Sequence, residues 1–212
     1  MLHAAWPPWG EWIQKCCAQL KSGLAPSTLT KINPSLIVKT FRRNRFFAGR
    51  LLTAADLERE QNYFRNKLKL HNSFLHGFGI VTGLEVSGSS SELHITSGLA
   101  IDCEGNEIVV EQGIIYPLPA TSIDTAVFLT IHYREQMIDL KPTIASEPCR
   151  EATVVEEVFG LKFESQNPNE NHRHARGRWQ PCGTSHGLVL ARLRQCSGKW
   201  RIDRRLRRPV IK

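Results

Sequence analysis

Between Leu70 and Val86 the chain reads LHNSFLHGFGIVTGLEV, and inside that stretch its hydrophobic repeat changes from 3.6 residues to two. This switch constrains the fold more than any other feature. A chain that is helical up to Gly77 and alternating from Gly79 must run a helix directly into a β-domain. Upstream, Thr53 followed by Asp56 has the spacing of a capping box. Leu57, Phe64, Leu68 and Leu75 then fall on one stripe with Gln61 and His71, widened by Tyr63, Leu70 and Phe74. Gly77 supplies the stop, giving a helix of about 20 residues against the usual 11–12. Downstream, GIVTGLEVSG, ELHITSGLAID, NEIVVEQG, AVFLTIHYRE and VVEEVFGLKFES read as strands, and HGLVLARLRQ with KWRID as a hairpin turning at Ser197-Gly198. About seven strands with no helical pattern between them indicate an antiparallel architecture. The expected fold is therefore α+β and mainly β. One long helix packs on an antiparallel β-sandwich or open barrel, behind an extended N-terminal arm. The expected divisions are an arm at 1–40, a helix plus β-domain at 41–205, and a basic tail at 206–212.

The glycines of the joint do not make a nucleotide site. A phosphate-binding loop leads from a strand into a helix N-terminus. Here the order is reversed, so Gly77, Gly79 and Gly83 sit at the negative end of the helix dipole. His71 and His76 are five residues apart, roughly 140° round an α-helix, whereas helical metal pairs stand three or four apart. The expectation is structural: His71, Asn72 and His76 bond across the helix–sheet joint while the glycines permit its turns.

Charge separates the two ends of the chain. Residues 171–212 carry twelve Lys and Arg against the single acid Asp203, so the rest of the chain nets −3. Such a tail suits acidic neighbours, and Arg204, Arg205, Arg207 and Arg208 are candidate partner contacts. In the N-terminal arm Trp12, Ile13 and Leu20 stand at helical spacing with Cys16 and Cys17 and form a second candidate contact. The loop from Gln166 to Gly187 places His172, His174, Cys182 and His186 as H-x-H-x7-C-x3-H. Zinc accepts these residues, but the spacing matches no standard finger. The six scattered cysteines suit reduced thiols. No apolar run approaches the roughly 18 residues that cross a bilayer, so membrane spanning is disfavoured, and MLHAAWPPWGEW has no secretory-signal pattern. No nucleophile elbow, zincin, P-loop or kinase motif is present, which points to a non-enzymatic chain without a cofactor. Two alternatives stay open: a basic nucleic-acid-binding module, itself disfavoured because Trp200 reads as core, and a zinc-stapled binding domain.

Three motifs carry a resemblance. The first is F-x-G-x-L-L-T-x-x-D, with Phe47, Gly49, Leu51, Leu52, Thr53 and Asp56, followed by Glu60, Gln61 and Tyr63. The second is H-N-x-x-L-H-G-x-G-I-V-x-G-L from His71 to Leu84, and the third is G-x-A-I-D-x-x-G-x-E-I from Gly98 to Ile108. Residues 41–205 thereby resemble a family of bacterial proteins from contractile injection system clusters, phage-tail-like particles built of tube, sheath, baseplate and cap. The resemblance implies a structural subunit, present in several copies of a symmetric assembly put together in the cytoplasm. Its implied partners are sheath, tube or baseplate proteins, with a baseplate or collar position favoured over the cap. The arm and the basic tail depart from the family pattern.

Overall fold

The computed structural model describes residues 40–88, 91–119, 126–142, 150–170 and 186–211. The chain divides into two units, Met1–Thr40 and Phe41–Lys212, and the second holds the helix and strands described below. Trp12, Ile13, Leu20, His172, His174 and Cys182 lie outside the described residues.

Helix α1 spans Ala54–His71 and begins with the expected capping box. Thr53 accepts from the Asp56 amide at 3.3 Å, and the Asp56 carboxylate accepts from the Thr53 amide at 3.2 Å and its hydroxyl at 2.9 Å. Arg50 and Arg59 both pair with the same carboxylate, and Arg59 also donates to Asn44 at 2.7 Å. The loop before the helix is thus knotted onto its first turn. After His71 the backbone widens into a π turn, Asn72–His76, closed by the Gly77 amide donating to the Asn72 carbonyl at 2.9 Å.

Ten strands follow among the described residues, in three sheets whose ladders are all antiparallel. β1 (Gly79–Gly83) pairs with β4 (Gly98–Ile101), which pairs with β5 (Glu107–Val110). β2 (Val86–Gly88), β3 (Glu92–Ile95) and β6 (Ile114–Pro117) form a second sheet in that order. β7 (Val127–Pro142) lies between β8 (Arg150–Glu164) and β9 (Leu188–Cys196), with β10 (Lys199–Ile202) beyond β9. Their inner faces share one core that includes Leu84, Leu93, Ile108, Leu129, Ile131 and Leu193. The α+β, mainly β class is the one the hydrophobic periods indicated.

Several details differ from the sequence reading. GIVTGLEVSG is two strands because Leu84 adopts φ 55° and re-aims the chain from one sheet to another. ELHITSGLAID likewise divides into β3 and β4, and β6 is an additional strand. β7 continues past Glu135 to Pro142, about 50 Å in all at 3.3 Å per residue. It pairs with β9 only over Val127–Ile131, so its outer portion and that of β8 make a two-stranded ribbon.

The segment after β10 is part of the β-domain. Ile80 donates to the Pro209 carbonyl at 2.8 Å and accepts from the Ile211 amide at 2.9 Å, which extends the β1 edge by a parallel bridge. Gly79 makes room for this: a Cβ there would stand 2.8 Å from the Pro209 oxygen. At the other end of β1 a Cβ on Gly83 would stand closer still, 2.0 Å from the Ser97 oxygen.

Candidate functional site

The joint between α1 and the sheets is held by polar contacts. Asn72 is buried and donates to the Gly105 carbonyl at 3.0 Å and to Glu107 at 3.1 Å, satisfying an amide that burial would otherwise leave costly. Gly105 turns the β4–β5 hairpin at φ 85°, and a Cβ on it would fall 2.2 Å from the Lys69 carbonyl. The helix therefore rests backbone to backbone on that turn. Beside it, Arg65 pairs with Glu135, Tyr133 donates to Glu135 at 2.9 Å, and the Lys69 ammonium lies 5.8 Å over the Tyr133 ring. The Tyr133 hydroxyl and then the Arg65 guanidinium hold the Glu135 carboxyl below its usual range. Burial first, then the neighbouring glutamates, push the Tyr133 phenol up.

The histidines take different places from those expected. A π turn advances less per residue than an α-helix, so residues five apart come onto one face. His71 and His76 are both exposed, with ring centroids 5.3 Å apart and planes tilted by 58°. The estimate of 140° between them fails for that reason. Neither imidazole reaches the cross-joint hydrogen bonds, which belong to Asn72. Among the described residues no three His, Cys, Asp or Glu side chains gather as a metal site.

With its end fixed by backbone approach and polar pairs, α1 does not need its apolar stripe for anchoring. Leu57 is 58% exposed, Phe64 62%, Leu68 51% and Leu75 70%, and Asp56 is the single buried residue of α1. Phe46, Phe47, Leu51 and Leu52, in the loop knotted to its first turn, are exposed as well. A second exposed apolar group lies on the outer β7–β8 ribbon, at Met137, Leu140, Val154 and Val155. Exposed apolar side chains gathered on one helix face make that face a candidate surface for other macromolecules.

The basic end is partly spent inside the molecule. Arg208 donates to the Leu84 carbonyl at 2.9 Å and pairs with Glu85, while Asp203 holds Arg194 at 3.0 Å and Arg192 at 3.7 Å. Arg208 is therefore a clamp on the β1–β2 corner, whereas Arg204, Arg205 and Arg207 are exposed. Trp200 is partly buried against the core and donates to the Pro119 carbonyl at 3.3 Å, as its alternation predicted. Asn169 ties the ends of the 166–187 loop together, donating to the Gly187 carbonyl at 3.0 Å and accepting from Val189 at 2.8 Å. His186, at that closure, sets its ring edge-on to Phe78 with centroids 6.3 Å apart. No described helix is long and apolar enough to cross a membrane.

The geometry defines a mainly β protein that carries an outward-facing apolar helix. No family model matches the chain, and no curated protein matches it. Among solved structures it is similar to a chain of the type VI secretion system TssK-TssF-TssG baseplate subcomplex, with a TM-score of 0.49 and 14% identity over 81% of this chain and 62% of that one. It is also similar to a chain of the baseplate complex from the type VI secretion system, with a TM-score of 0.47 and 13% identity over 81% and 60%. The chain spans less than two thirds of either neighbour's length.

Proposed function

We propose that this chain is a non-enzymatic structural subunit of a contractile, phage-tail-like injection particle, joined to neighbouring baseplate or collar proteins through α1. The observation that carries this reading is the exposed stripe of Leu57, Phe64, Leu68 and Leu75 on a helix whose anchoring is achieved by other residues. Covering such side chains in a contact contributes about 1.5–3 kcal/mol each before the costs of association. The particle is named by the sequence resemblance over residues 41–205. Arg204, Arg205 and Arg207 offer a separate polar contact to an acidic neighbour.

The test is co-purification from cells that produce the particle. Wild-type chain is expected to sediment with sheath and tube proteins, and a Phe64→Asp, Leu68→Asp double variant to stay in the soluble fraction while keeping its circular dichroism spectrum. Wild-type chain running alone in a lysate that contains particles would defeat the proposal.

A further inference from the structure

The stripe on α1 has a finer pattern than exposure alone. Leu57, Gln61, Phe64, Leu68 and His71 follow one another at spacings of four, three, four and three, and Leu75 carries the run four residues on into the π turn. This is the repeat of a coiled-coil seam, and Tyr63 and Leu70, which widen the stripe on one side, are half-buried. Every position of the seam is exposed. We infer that the seam receives the same helix of a second copy of this chain, parallel and in register. The inference rests on reading the α1 stripe as a contact face, and it names the partner.

Flanking charge selects the occupant and its direction. With Gln61 and Leu68 at the a positions and Phe64 at d, Glu60 takes g and Arg65 takes the following e. In a parallel pair each Glu60 faces Arg65 of the second copy, so two attractive pairs flank the seam by symmetry. Arg65 already holds Glu135 through one terminal nitrogen and keeps further donors of its guanidinium for this contact. The antiparallel register that stacks Phe64 on Leu68 would instead set Arg65 against Arg65 and Lys67 against Lys67. Layers in the parallel pair are like on like: Leu57, Phe64 and Leu68 meet their own kind, and Gln61 meets Gln61. A lone amide at an a position costs some stability and holds the register. The seam is short, so association is reversible and concentration-dependent rather than permanent.

Sedimentation velocity on the full chain across a wide concentration range is the direct experiment. Wild type should self-associate, and the Phe64→Asp, Leu68→Asp double variant should raise the dissociation constant at least about tenfold, as central apolar contacts do. Its circular dichroism should be unchanged. Direction is read by oxidative cross-linking, with wild type as the control for the exposed native Cys196. Leu57→Cys should cross-link with itself. Cross-linking only in a mixture with Leu75→Cys would overturn the parallel pair, and a wild-type chain monomeric throughout would overturn self-association. If the wild type is monomeric yet the double variant still drops out of particles, the face takes a different protein: this inference falls and the proposed function stands. If the double variant remains in particles, the particle contact through α1 falls, and self-association is still decided by sedimentation of the wild type.

Discussion

Leu129 of β7 and Leu68 of α1 are the same residue in opposite circumstances: the first has no exposed surface, and the second has half of it in water. The strands place Leu129 beside Ile131, Leu190 and Leu193, so its transfer from water is completed within one chain. The helix holds itself in place with a capping knot at one end and backbone approach at the other, leaving Leu68 with no such role. One region obtains its stability from apolar burial and the other from polar geometry. The apolar surface of the second is thereby available to a neighbour. An amphipathic helix is not evidence that its apolar face lies on the chain's own core.

This contrast can be broken by mutation. Leu129→Ala should cost about 2–5 kcal/mol of unfolding free energy in urea titration, because a cavity opens among residues that cannot close it. Gly105→Ala comes next, near the upper end of roughly 1–3 kcal/mol, since its Cβ would meet the Lys69 carbonyl where the backbone has a positive φ. Faster amide exchange in the last turn of α1 would show that the helix has lifted from the hairpin. Asn72→Ala should cost about 1–2 kcal/mol through the lost bonds to Gly105 and Glu107, with the same exchange signature.

Thr53→Ala should cost about 1 kcal/mol, confined to the first turn. The Asp56 carboxyl there sits below its ordinary value of 3.8, through hydrogen bonds from Thr53 first, then the charge of Arg50 and a hydrogen bond from Arg59. A folded value below the unfolded one means that its contribution is complete above the unfolded value and is lost as pH falls through the folded value. The Thr53 amide resonance should therefore titrate with a midpoint below 3.8, and Asp56→Asn should abolish that transition. The smallest effect belongs to Leu68→Ser, within about 0.5 kcal/mol of wild type. A loss comparable to that of Leu129→Ala would mean that the two leucines are not in different circumstances after all.

Much of the frame was legible in local pattern. The Thr53–Asp56 cap and the Ser197-Gly198 turn depend on residues close in sequence, and both form as read. The division of GIVTGLEVSG was not legible, because Leu84 is a non-glycine residue at positive φ, held there by burial in the core. The exposure of the α1 stripe was equally hidden: periodicity tells which residues share a face, and only the position of the β-domain tells what that face meets. Arg208 looked like part of a free basic tail until the Pro209–Ile211 bridge brought it to Leu84 and Glu85. The proximity of His71 and His76 was missed because their angular separation was reckoned at the α-helical advance.

That last miss points to a property of the π turn as a piece of gearing. Helix α1 runs directly into it, and the described residues after it belong to the β-domain. Taking one residue out of Asn72–His76 and restoring α-helical bonding would rotate the whole of α1 about its own axis by about 100° and shift it by about 1.5 Å. Composition, charge and core would hardly change, yet the stripe would point a quarter-turn away. The bearing of the contact surface is thus adjustable in steps of one codon, independently of the body that carries it.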